Sequence, residues 1–126
     1  MNIPPIKQKI DKNITHTLNH INQFEKACTE LKAYAEKLKE RNMPLTSLEM
    51  YKLDVFVEKT INSTRIIEKA LEGLKMDFTK YTKTAFAKRP ENSILIMQIV
   101  NSIHQLEYKY GQIHLPELST LPKEEA

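Results

Sequence analysis

Tryptophan is missing from this chain, glycine occurs twice and cysteine once, and each shortage removes a class of protein. With Gly73 and Gly111 as the only glycines, there is no glycine-rich loop to cradle a phosphate, and turn-rich sheets lack the residues their tight turns require. Cys28 has no second cysteine to pair with, so no internal disulfide framework exists and a reducing, cytoplasmic setting is expected. Long apolar runs are also wanting. The most apolar window, 94–106, falls short of the ~20 residues a bilayer span needs and contains Gln98, Asn101, Ser102, His104 and Gln105. No basic stretch followed by an apolar one opens the sequence, so neither a signal peptide nor membrane association is expected.

What is present favours helices. Apolar residues make up 40% and charged residues 28% of 126 residues, with a mean hydropathy of −0.49, which suits one folded domain over 1–126 rather than a disordered or membrane chain. From Ile6 to Arg41 apolar residues recur every seven positions. Ile14, Ile21, Cys28 and Ala35 form one row, and Ile10, Thr17, Phe24, Leu31 and Leu38 form another. This is the seam of a long amphipathic helix over about 6–41. Pro4 and Pro5 fit only its start, and Asn42-Met43-Pro44 ends it.

Thr46-Ser47-Leu48-Glu49 has the pattern of a capping box and opens a second helix, expected over 47–89. Its seam reads Met50, Leu53, Val57, Ile61, Thr64, Ile67, Leu71, Leu74, Phe78, Tyr81 and Ala85. The seam keeps phase through the weak helix formers around Asn62 and through Gly73, so the helix is expected to continue past both; a break at Asn62 would give a squat four-helix bundle instead. A third helix is expected over 91–110, with Leu95, Ile96, Ile99, Val100, Ile103, Leu106 and Tyr110 on an inward arc of about 140°. Ile94, Met97 and Tyr108 lie outside that arc. The tail, 111–126, carries Pro116 and Pro122 and should be extended. Short connections at Pro44 and Pro90 make successive helices antiparallel. The expected architecture is therefore all-α: a long antiparallel helical hairpin plus a shorter third helix, an elongated three-helix bundle.

That geometry points to function. A third helix of ~20 residues covers only half of a hairpin ~60 Å long, leaving the end near Pro44 two helices thick. Leu48, Tyr51 and Val55 lie away from the seam of the second helix there, Phe56 flanks it on the other side, and Tyr34 stands beside them on the first. These five form the candidate partner-binding surface, for another protein's helix or for a second copy in a homodimer. The bland counterpart is that the tail, or a bend in the second helix, covers the tip. The chain is thus expected to be a non-enzymatic protein-protein interaction module, such as an adaptor, a small chaperone or an assembly component.

A competing reading rests on charge. Lys75, Lys80, Lys83, Lys88 and Arg89 against Asp77 concentrate the basicity of a chain of net charge +3 in one segment, 75–89, which could contact a polyanion such as nucleic acid. The same cations would equally suit a solvated helix end, and no reader motif accompanies them. His16 and His20 share a helix face four residues apart, but no third ligand accompanies them, so no metal is expected. Cys28 falls on the seam and reads as core. The carboxylates are scattered among lysines and form no paired acid-base site, so neither catalysis nor a cofactor is expected.

Overall fold

A computed structural model describes residues 3–119 and 121. The hairpin consists of α1 (Pro5–Arg41) and α2 (Ser47–Thr82); a one-turn α3 (Ala85–Lys88), a 3-10 turn at Pro90–Asn92 and α4 (Ser93–Gly111) follow. Residues 112–119 and 121 form an extended tail; Pro122 and the end of the expected tail segment lie outside the described residues. No helix is long and apolar enough to cross a membrane among the described residues.

The seam of α1 behaves as its period requires. Eight of its nine positions are buried and Ile14 is half-buried. Asn42 ends the helix in the left-handed region at φ 52°, a conformation its short polar side chain tolerates, with its N–H donating to the Lys39 carbonyl. Across the bend the Thr46 hydroxyl accepts from the Glu49 N–H at 3.2 Å, and the Glu49 carboxylate accepts from the Thr46 N–H at 2.9 Å. These bonds satisfy two amides that a helix start otherwise leaves open.

The second helix is continuous through Asn62 and Gly73, but two features differ from the sequence reading. First, it ends at Thr82 and not at Arg89. Thr84 is extended and caps α3 by accepting from the Ala87 N–H, a side-chain bond that competes with helix continuation. The turn buries Ala87 and sets the Phe86 ring 6.5 Å from Tyr81. Second, the expected seam holds at Leu53, Ile67, Leu71, Leu74 and Tyr81, which are buried, but the buried stripe departs from it near the bend and at mid-helix. Thr60 is 0% exposed, whereas Ile61 beside it is 38% exposed and Met50 44%. The Thr60 hydroxyl donates to the Val57 carbonyl at 2.7 Å, so a polar residue enters the core with its hydrogen bond already made.

In α4 the inward arc is as expected: Ile99, Ile103 and Leu106 are buried, while Ile94, Met97 and Tyr108 are exposed. The helix packs on both arms of the hairpin at its open end, opposite the bend. Lys75 to Glu107 at 3.0 Å and Tyr110 to Glu68 at 3.1 Å tie it to α2. Beyond α4 the tail continues along α1. Leu118 and Leu121 join a second cluster at the bend, built on Leu31, Ala35, Leu38, Leu45 and Leu53. Self-coverage of the bend therefore exists, on one side.

Candidate functional site

The two layers leave the hairpin asymmetric. The hollows on the covered side are lined by α1 together with α4 or the tail. On the other side two grooves are lined by α1 and α2 residues alone. Helix phase, about 100° per residue, puts His16, His20 and Tyr34 within ~40° of one another on α1, and Val55, Lys59, Gly73, Asp77 and Lys80 within ~60° on α2. Both grooves thus open on one continuous face.

The groove near the bend measures about 490 Å³ and is lined by Tyr34, Tyr51, Lys52, Val55, Phe56 and Lys59. Its floor is the Tyr34 and Phe56 ring pair, with centroids 5.7 Å apart and planes tilted by 39°, an offset arrangement that aromatic quadrupoles favour. Tyr51 is 65% exposed and Val55 47%. Four of the five sequence-derived partner residues meet here. Leu48 does not; it is 62% exposed one turn nearer the bend and lies outside the groove. Phe56, expected on the opposite flank from Tyr51, shares the groove with it and is half-buried against the bend cluster. Lys52 and Lys59, which the sequence reading passed over, rim the opening and are the surface members of a stripe otherwise apolar.

The groove at the far end measures about 560 Å³. Lys9, Lys12, His16 and His20 line it from α1, and Gly73, Asp77 and Lys80 from α2. Asp77 is buried, and Lys9 reaches it at 3.4 Å. The histidine pair thus does share one face as its spacing implies. Among the described residues no group of three or more His, Cys, Asp or Glu side chains could hold a metal ion.

The basic segment is divided by the fold. Lys75 pairs with Glu107, and Arg89 stands 3.9 Å from Glu91. Lys80 faces the far groove, while Lys83 follows the end of α2 and Lys88 ends α3. Lys80, Lys83 and Lys88 make no ion pair among the described residues. The Cys28 thiol is buried, which pushes its pKa up and keeps it in the unreactive protonated form. No protein-family model matches the chain, and neither a curated protein nor a solved structure is significantly similar to it.

Proposed function

We propose that this protein is a non-enzymatic protein-protein interaction module, an adaptor, small chaperone or assembly component, that engages its partner through the groove near the bend. The observation that supports this reading is the apolar, aromatic-floored groove of Tyr34, Tyr51, Val55 and Phe56 on the side of the hairpin that neither α4 nor the tail covers. The exposed Tyr51 ring, beside a hollow floored by the half-buried Tyr34 and Phe56 rings, supplies large contact area at small entropic cost, which is how interface anchors work. The nucleic-acid reading has less behind it, since Lys75 and Arg89 already face carboxylates and the remaining cations are spread over different elements.

Affinity capture with the wild-type chain and with Tyr51→Asp tests the proposal. A partner that is retained by the wild type, lost by Tyr51→Asp and little affected by salt supports it. Retention that instead disappears in Lys80→Glu/Lys83→Glu and falls steeply and linearly with log salt favours a polyanion.

A further inference from the structure

The uncovered face of the hairpin has a polarity along its length. At the bend end it is apolar, and Ile66, 50% exposed and in phase with Val55 on α2, carries the apolar stripe onward. At the far end it is more polar, with Lys9, Lys12, Lys80, His16 and His20 around a groove that Met76 also lines. Across both grooves five lysines face one carboxylate, Asp77, which Lys9 already engages. From Lys9 to Tyr34 is 25 residues of one helix, ~37 Å.

We propose that this face binds one amphipathic helix of a partner protein, about 25 residues long, with apolar residues at one end for the Tyr34 and Val55 groove and acidic residues at the other for Lys12 and Lys80. The inference rests on the reading of the bend groove as a partner site and adds the chemistry and polarity of what occupies it. Such a helix would bury the exposed stripe of α2 and give the hairpin a helix on each side, as in a four-helix layer. A second copy of the chain fits poorly. Apposing two such faces sets lysines against lysines with no free carboxylate in either groove to offset them.

The test uses two synthetic helical peptides of 25 residues and identical composition. In the first, Leu and Phe occupy the binding stripe of one half and Glu that of the other; in the second, the same residues alternate along the whole stripe. Fluorescence anisotropy should show the segregated peptide binding at least tenfold tighter than the alternating one. Lys12→Glu/Lys80→Glu should remove most of that advantage, and Val55→Asp should abolish binding. All three positions are solvent-exposed, and an unchanged helical dichroism spectrum verifies the fold of each variant. Equal binding of the two peptides, binding of neither, or indifference to Lys12→Glu/Lys80→Glu overturns the inference. A peptide of the apolar half alone, bound by the wild type and not by Val55→Asp, would preserve the bend groove as a partner site while the polarity falls. A dimer in sedimentation that Val55→Asp dissociates would assign the face to a second copy and likewise overturn it.

Discussion

Arg41, the last residue of α1, and Glu49, in the first turn of α2, form a two-pronged ion pair across the bend: one guanidinium nitrogen donates to Oε1 at 2.7 Å and the other to Oε2. The same carboxylate accepts the Thr46 N–H. One side chain therefore clamps the two arms and caps the second.

These donors, the Arg41 guanidinium first and the Thr46 amide next, lower the Glu49 pKa from 4.5 to about 2. Because the folded value lies below the unfolded one, the clamp contributes its full stability above about pH 4.5 and loses it as pH falls toward 2. In Glu49→Gln the amide can still accept from Thr46, so the charge is tested apart from the cap. Urea midpoints measured between pH 2 and 6 should fall less steeply on acidification for Glu49→Gln than for the wild type, and the two should converge at the acid end.

Tyr81 is fully buried, and its hydroxyl has no hydrogen-bond partner among the described residues. Burial first, and the charge of Asp11 second, raise its pKa. A buried hydroxyl without a partner carries an uncompensated desolvation cost of about 1–3 kcal/mol. Tyr81→Phe keeps the ring against Phe86 and should be neutral or stabilising by about 1 kcal/mol in chemical denaturation. A loss of more than ~1 kcal/mol would mean that the hydroxyl is satisfied in solution.

Leu121 is buried at the bend against the cluster that includes Leu31, Ala35 and Leu38. If the tail is an integral part of the fold, Leu121→Ala should cost about 2 kcal/mol, the low end for a buried leucine because a segment outside the helices can relax around the cavity. Hydrogen exchange should quicken at amides of the bend and remain unchanged around Ile99 and Ile103.

Gly73 lies in the interior of α2, and a Cβ built there meets no atom within 4 Å. Gly73→Ala should therefore stabilise the protein by about 0.5–1 kcal/mol through the unfolded-state entropy of glycine. The expected rise in melting temperature, about 3 °C, is readable by circular dichroism.

Much of this architecture was legible in the residues. Seven-residue spacing placed α1, the Thr46 and Glu49 pair placed the start of α2, and the inward arc of α4 followed from its apolar positions. Each is a local property, set by helix period and by hydrogen bonds a few residues apart. Most of the α2 seam was legible too, but the burial of Thr60 in place of Ile61 was not, because a reading by hydropathy prefers Ile61 to Thr60. Only the completed helix shows that the Thr60 hydroxyl is satisfied by Val57. The early end of α2 was hidden likewise: Thr84 can lie within a helix or cap the next, and burial of Ala87 against α4 favours the cap. The rims of the two grooves depend on which faces of two helices meet, and single-helix patterns leave that open.

The sequence by itself determined that the chain is helical, that its two longest segments run antiparallel about the Pro44 bend, and that aromatic side chains gather near it. These follow from periodicity, capping and proline, whose effects reach only a turn or two along the chain. Tertiary structure decided which side of the hairpin is covered. Leu118 and Leu121 close over one side of the bend, while on the other Tyr51 and Val55 stay exposed above the half-buried Tyr34 and Phe56. The choice turns on where α4 and the tail pack against the hairpin, contacts between residues far apart in the chain that local patterns do not encode.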